Sequence, residues 1–193
     1  MVPFVQTPLE RNPAYRQMAV EEFLEAELEG RAELEEGMVY MMAGGSRRHG
    51  AVSRNILFVL ESKLRGSSCE TFGPDVTVRT GPASLRLPDA SVYCDLPTGE
   101  EDQRAKLLGD PRVIFEVLSP STRKLDLNVK LPEYRGLDGV DAIIFIDSEN
   151  DRVRLVERTG PEGWTDQWLP EGAEVPLRSL GITLTANEIF RRG

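Results

Sequence analysis

The segment VIFEVL (113–118) constrains the fold of this chain more than any other stretch, because it places a single glutamate inside an apolar run. Such a run, bounded by Pro111 and by the turn sequence SPST (119–122), predicts a buried β-strand. Burying an unpaired carboxylate is costly, so Glu116 needs an explanation. Three arrangements remain open: a bound metal ion, an ion pair with an arginine, or exposure on the solvent face of an amphipathic strand.

The remaining periodicities predict an α/β (α+β) fold with one mixed β-sheet flanked by helices. AIIFID (142–147) is almost continuously apolar, which places it centrally in the sheet. Apolar residues at helical spacing predict an amphipathic helix over 47–65, capped by Ser46, and a shorter helix over 20–29. The segment VTVR (76–79) and the longer LRLPDASVY (85–93) each predict a strand next to VIFEVL.

The SPST turn predicts the start of a further helix that runs towards Tyr134. Pro132 lies inside this helix, where it lacks an N–H and clashes with the preceding turn. We therefore expect the helix to kink or to end early at Pro132.

Length and composition indicate one soluble domain at residues 18–193, preceded by a proline-containing arm at residues 1–17. Of the 193 residues, 28% are charged and 40% hydrophobic, and no apolar run approaches the roughly 18 residues of a membrane span. We expect a cytoplasmic protein without a membrane partner. Cys69 and Cys94 form no metal-binding pattern and are expected to be reduced structural thiols.

The net charge of −9 argues at first against nucleic acid as a partner. The acidity is concentrated, however, because residues 20–36 hold eight glutamates and a single base, Arg31. Outside that segment the charges nearly balance, and basic residues cluster in two stretches. The overall charge therefore does not exclude nucleic acid.

A second carboxylate occupies a position similar to that of Glu116. Asp89 follows Pro88 at the start of the apolar stretch ASVY. Two carboxylates at neighbouring strands can converge on one divalent cation, and oxygen ligands of this kind suit Mg²⁺ or Mn²⁺ with water completing the shell. Such an ion would supply the positive charge that a buried Glu116 requires.

Three motifs in register resemble the Uma-two family of endonucleases, formerly a domain of unknown function within the PD-(D/E)xK superfamily. They are EEGMVYMMAGGSRRHG (35–50), SLRLPDASVYCD (84–95) and FEVLSPSTRKLDLNVKLPEYR (115–135). The resemblance extends over residues 18 to 190. It implies a restriction-endonuclease-like core and a Mg²⁺- or Mn²⁺-dependent nuclease acting on nucleic acid, with DNA favoured, and it is compatible with a homodimer.

The same resemblance implies roles for particular residues. Asp89 and Glu116 correspond to metal ligands, and the backbone carbonyl of Val117 would be a third. The superfamily lysine is replaced by Leu118, and its function falls to the following helix, where Asp126, Lys130 and Tyr134 share one face. Lys130 is preferred as the catalytic lysine, with Lys124 as the alternative.

Less direct matches complete the set of predicted residues. Glu33 resembles an acidic residue that closes the site, with Glu35 and Glu36 as competitors. His49, the one histidine of the chain, is a catalytic or substrate-contact candidate. Candidate contacts to backbone phosphates are Arg47, Arg48 and Arg123.

Two other functions remain open at this stage. The first is a binding module for nucleic acid or protein on the same fold but without catalysis. The second is a metal-independent hydrolase that uses two carboxylates, as glycosidases do. Trp164 and Trp168 are expected to pack within the C-terminal part of the domain rather than to stack on bases.

Overall fold

The computed structural model describes residues 17–100 and 102–192, and the predicted arm at 1–17 therefore lies outside it except for Gln17. The helices are α1 (Val20–Glu25), α2 (Arg47–Leu64), α3 (Arg123–Leu125), α4 (Leu131–Arg135) and α5 (Ala186–Phe190). The strands are β1 (Ala32–Glu35), β2 (Met38–Met41), β3 (Cys69–Phe72), β4 (Val78–Gly81), β5 (Ser84–Arg86), β6 (Ala90–Cys94), β7 (Val113–Leu118), β8 (Ala142–Asp147), β9 (Arg152–Arg158), β10 (Trp164–Trp168), β11 (Val175–Leu177) and β12 (Ile182–Leu184).

A six-stranded mixed sheet in the order β10-β9-β8-β7-β6-β3 forms the centre of the fold. Its two middle strands, β7 and β8, run parallel, and the other neighbouring pairs are antiparallel. All residues of both middle strands are buried, as their apolar sequences predict. The mixed α/β class and the central position of AIIFID are confirmed.

Each face of this sheet is covered by helices. Residues Val52, Ile56 and Leu60 of α2 pack on one face, together with α5 and the small β11–β12 sheet. Leu131 and Tyr134 of α4 pack on the other face. Because side chains alternate along a strand, Glu116 shares the α4 face with Ile114 and Leu118. Glu116 consequently points into the layer that α4 covers.

A separate four-stranded sheet in the order β2-β1-β5-β4 lies beside the central sheet and has its own small core. The prediction of a single strand over LRLPDASVY is therefore wrong, since β5 belongs to this small sheet and β6 to the central one. Pro88 lacks the N–H that a continuous ladder would need, and the chain changes sheets at residues 87–89. This change of sheets places Asp89 at the junction between them.

The helix after SPST continues past Pro132, so the prediction of an early end is wrong. The residues just before the proline, Asp126–Lys130, form a π-helical turn in which the N–H of Leu131 bonds the carbonyl of Asp126. A proline ring clashes with the carbonyl four residues earlier, and a wider turn makes room for it. The predicted distortion thus takes the form of a π turn, which α4 follows directly.

Two smaller expectations are corrected. Helix α1 ends at Glu25, four residues before the predicted boundary, although Phe23, Leu24 and Leu28 still pack against the small core. Cys69 and Cys94 are joined in a disulfide rather than reduced. These residues lie opposite each other in the antiparallel β3–β6 pair, a proximity that their separation of 25 residues in the sequence does not reveal.

Helix α2 carries the candidate residue His49, and its position is fixed partly by Asn55. The buried Nδ2 of Asn55 donates to the carbonyls of Ile189 (3.1 Å) and Arg191 (2.9 Å) at the C-terminal helix. We predict that Asn55→Ala lowers the free energy of unfolding by about 2 kcal/mol in urea denaturation, because buried carbonyls lose their donor. The matched Ser62→Ala, an exposed position on the same helix, should change it by less than about 0.5 kcal/mol. Equal effects at the two positions would contradict this explanation.

Candidate active site

The ammonium group of Lys130 lies at the centre of a buried cluster of carboxylates. Its Nζ is 2.9 Å from Glu33 Oε1, 3.1 Å from Glu116 Oε1 and 3.4 Å from Asp126 Oδ1. Only 2% of the lysine is exposed. Tyr134 donates its hydroxyl to Glu116 Oε1 at 2.6 Å. The cluster therefore draws on β1, β7, the π turn and α4.

Asp89 lies beside this cluster at the junction between the sheets. Its Oδ2 accepts the N–H of Val117 at 2.7 Å, which ties the start of β6 to β7. The ring of His49 approaches the same carboxylate, with Nε2 3.4 Å from Oδ2. Ser53, one turn further along α2, is 3.5 Å from Oδ1. Asp89 thus links α2 to the strand that carries Glu116.

A cleft of about 640 Å³ opens over these groups. Its walls include His49, Asp89, Glu116, Asp126 and Lys130, and the segments 42–46 and 117–122 form its rim. A Cβ on Gly45 would lie 2.7 Å from Nδ1 of His49, so glycine allows the ring to lie against the loop. The carboxylates of Asp89 and Glu116 therefore both line one cleft.

The charges of the cluster depend on one another. Burial raises the pKa of Glu116 to about 8, although the Lys130 ammonium acts in the opposite direction. Burial alone would favour neutral Lys130, but the surrounding carboxylates outweigh it and raise the pKa of the ammonium above its ordinary value. Burial also raises the pKa of Asp126. Lys130 consequently stays protonated. Its positive charge does not fully offset the desolvation of Glu116, so the pKa of that carboxyl stays raised.

The histidine responds mainly to Asp89. Its hydrogen bond to that carboxylate raises the pKa of His49, and partial burial opposes this only in part. The ring is therefore more readily protonated than an isolated histidine.

The oxygen donors present fit a divalent cation. Lys130 and Tyr134 both contact Oε1 of Glu116, and Oδ1 of Asp89 makes a long contact to Ser53. Residues 17–100 and 102–192 contain no group of three or more His, Cys, Asp or Glu side chains in a metal-binding arrangement. Mg²⁺ does not require one, because it is commonly held by one or two carboxylates and several waters.

The structure separates the alternatives that the sequence left open. Lys124 is exposed on α3, whereas Lys130 lies within the cluster. Glu35 pairs with Arg86, and Glu36 is exposed in the β1–β2 turn, so Glu33 is the glutamate of this segment that reaches Lys130. Glu116 is buried and paired with a lysine, so neither solvent exposure nor an arginine pair describes it.

The three predicted phosphate contacts lie in different environments. Arg47 is exposed at the start of α2. Arg48 bonds the Asp151 carboxylate at 2.6 Å and the carbonyls of residues 148 and 190, which commits its donors within the protein. Arg123 pairs with Asp147 at 2.8 Å, yet 42% of its side chain is exposed. None of the three belongs to the Lys130 cluster.

The sequence analysis missed Arg86, a fully buried arginine of β5 that joins the small sheet to α4. It bonds both oxygens of Glu133 at 2.7 and 2.6 Å, and its Nη1 lies 3.3 Å from Glu33 and 3.1 Å from Glu35. Leu87 adds its backbone N–H to Glu33 Oε1 at 3.0 Å. The available signal was an arginine between two leucines directly before Pro88, since a buried guanidinium requires carboxylate partners.

The fold matches that of one solved structure. A crystal structure described as "a putative nuclease belonging to DUF820", from Anabaena variabilis, matches with a TM-score of 0.75 and 22% identity, covering 90% of this chain and 97% of that one. The family model "Uma2: Putative restriction endonuclease" matches residues 20–187. The chain therefore belongs to the Uma2 family.

Two uncharacterized proteins of Synechocystis are also similar. One is 24% identical over 180 residues, covering 92% of this chain and 93% of the relative. The other is 25% identical over 154 residues, covering 79% and 86%. The likeness thus extends over most of this chain.

The pKa of Glu116 predicts how stability depends on pH in EDTA. The folded protein keeps this proton up to about pH 8, whereas the unfolded chain releases it near the ordinary value of 4.5. The folded state binds more protons in this window, so stability falls as pH rises through it. We expect Glu116→Gln to remove on the order of 2 kcal/mol of that decline in urea denaturation between pH 5 and 8. Parallel pH profiles of the two proteins would contradict the assignment.

Arg86 generates a second prediction. Lysine keeps the charge but cannot form the paired bonds to Glu133 while also reaching Glu33. Arg86→Lys should therefore lower the free energy of unfolding by about 3 kcal/mol, as expected for a disrupted buried ion network. Glu35→Gln is the control, because Glu35 contacts the same arginine but is more exposed than Glu33. It should lower the free energy of unfolding by less than about 1 kcal/mol. A tolerated Arg86→Lys would show that the network is not needed for stability.

Proposed function

We propose that this protein is a metal-dependent endonuclease that hydrolyses phosphodiester bonds of nucleic acid, with DNA as its substrate and Mg²⁺ or Mn²⁺ as its cofactor. The observation that supports this best is that Asp89, Glu116 and Lys130 share one cleft, with the lysine supplied by a helix. Membership of the Uma2 family supports the same class of reaction.

In this proposal the carboxylates of Asp89 and Glu116, with the carbonyl of Val117, would hold the cation. A divalent cation bound there would polarise the scissile phosphate and lower the pKa of a bound water. The N–H of Val117 fixes the orientation of Asp89, and the hydroxyl of Tyr134 fixes that of Glu116. Both carboxylates are therefore oriented before any ligand arrives.

Lys130 supplies positive charge to the phosphate oxygens as negative charge builds up on them, or positions the attacking water. Glu33 and Asp126 hold its ammonium group protonated and in place. Glu33 is itself held by Arg86 and by the N–H of Leu87. Because the lysine cannot swing freely, its charge is available in one position.

His49 lines the cleft beside Asp89, and its raised pKa favours a ring that can donate a hydrogen bond to a phosphate. Arg47 and Arg123 are proposed to contact backbone phosphates on either side of the cleft. Arg48, whose donors bond Asp151 and two carbonyls, is assigned mainly to holding α2 in place.

The remaining expectations belong to the same proposal: one domain at 18–193, a cytoplasmic location and a homodimer. Across residues 17–100 and 102–192, the structure contains no helix long and apolar enough to cross a membrane.

Nicking of supercoiled plasmid tests the proposal. We expect wild-type protein to cut in Mg²⁺ or Mn²⁺ and not in EDTA. Asp89→Asn should lower the rate at least about 100-fold by removing a ligand charge, and Lys130→Met by about 100-fold or more by removing charge stabilisation. Lys124→Ala should cut at the wild-type rate.

Circular dichroism of each variant controls for folding, and Asp89→Asn is the safest test because asparagine can still accept the Val117 N–H. Metal-dependent cutting that survives Asp89→Asn would contradict the site. Binding of DNA or RNA by the wild-type protein without cutting in either metal would favour the non-enzymatic module instead.

A further inference from the structure

A basic aromatic surface lies on the outer strands of the central sheet, next to the cleft. We call it the arginine ledge. It consists of two tryptophans of β10 and the four arginines stacked on them: Trp164, Trp168, Arg123, Arg135, Arg152 and Arg158.

Two guanidinium groups, each from a different element, lie over each tryptophan ring. Arg152 and Arg123 lie 5.1 and 5.7 Å from the centre of the Trp168 ring. Arg158 and Arg135 lie 4.5 and 5.9 Å from that of Trp164. Stacking on an aromatic face stabilises the cation and leaves its in-plane N–H groups free for other ligands.

The ledge begins at the cleft and runs away from it. Arg123 follows Thr122, which lines the cleft, and Arg152 lies opposite Asp147 at the cleft end of β8. Trp164 and Arg158 pair at the opposite end of β10. Five strand residues rise about 3.4 Å each, so the ledge is about 13 Å long. That length corresponds to about four phosphates along one strand of a duplex.

The arginines of this region divide into two groups. Arg154 is bonded through Nε and Nη2 to Asp166, and Arg158 donates to the carbonyls of residues 137, 140 and 161. These two hold the strands together. Arg152 is exposed and has no carboxylate partner in the described part of the chain, and Arg123 is 42% exposed. Arg135 shares Asp166 and is 32% exposed. Arg152, Arg123 and Arg135 form the second group, and their exposed guanidinium groups can bind a ligand.

The charge of this surface is opposite to that of the chain. Five arginines, counting Arg154, lie on this surface, and three of them pair with its carboxylates Asp147 and Asp166, whereas the whole protein carries −9. Guanidinium groups bind phosphate through paired hydrogen bonds, and a basic strip continuous with a cleft is typical of surfaces that follow a nucleic-acid backbone. The tryptophans, covered by arginines, support the cations instead of stacking on bases.

We propose that the arginine ledge is an extended substrate-binding surface that contacts backbone phosphates outside the cleft, with Arg152 as its main contact. This inference rests on the proposed nuclease function and adds to it the path of the substrate. The ledge binds without regard to base sequence, since its contacts go to phosphates.

The test uses fluorescence anisotropy of a labelled 30-base-pair duplex with Asp89→Asn protein in EDTA, so that nothing is cut. Adding Arg152→Gln should weaken binding about threefold to tenfold and reduce the slope of log affinity against log salt by about 0.9, the value for one lost phosphate contact. Arg152→Glu should weaken it further. Arg65→Gln, an exposed arginine at the end of α2, is the matched control and should leave both affinity and slope unchanged.

Plasmid cutting in the otherwise wild-type protein separates binding from chemistry. Arg152→Gln should raise KM several-fold and leave kcat unchanged, because the ledge lies outside the reacting centre. If the protein binds and cuts DNA but Arg152→Gln and Arg65→Gln behave alike, the ledge proposal is overturned and the proposed nuclease stands. If wild-type protein neither binds nor cuts nucleic acid, the proposed nuclease function is overturned, and the ledge proposal that rests on it is overturned too. A fall in kcat alone would also overturn the ledge by placing Arg152 in the chemical step.

Discussion

The rest of the site depends on the burial of one positive charge, the ammonium of Lys130, among Glu33, Glu116 and Asp126. A buried ammonium is tolerated only where carboxylates surround it, and each of these comes from a different part of the fold. The π turn before Pro132 sets the position of the lysine. The small sheet supplies Glu33, whose second carboxylate oxygen is bound by Arg86. Pairing of the charges therefore joins the two sheets and the helix.

The same cluster also explains why the site suits a cation. Three carboxylates contact one lysine, and burial raises the pKa of Glu116 because this single ammonium does not offset the cost of desolvating its charge. A divalent ion would correct that imbalance, and a phosphate backbone would bring its own charge to Lys130 and to the ledge. The acidic groups thus lie in the cleft and the basic groups on the neighbouring ledge, although the chain as a whole is acidic.

Local sequence patterns predicted the features that depend on residues close together in the sequence. The apolar run around Glu116 predicted a buried strand but left the environment of the carboxylate open. The Pro88–Asp89 pair marked a carboxylate at a strand start, and family resemblance selected Lys130. Contacts between distant segments left little signal. Arg86 meets Glu133 across 47 residues, the cysteines meet through strand register, and the exchange of sheets at Pro88 follows from which strands pair. At Pro132 the sequence predicted a kink or an early end, and the chain instead forms a π turn and continues as α4.

Anomalous X-ray diffraction from crystals grown with Mn²⁺ tests the central claim most directly, because it locates the ion without reference to activity. The proposal predicts a peak in contact with the carboxylates of both Asp89 and Glu116, and loss of that peak in Asp89→Asn. A well-diffracting crystal with manganese bound elsewhere, or with the peak unchanged in Asp89→Asn, would contradict the assignment of this cluster as the metal site of a nuclease.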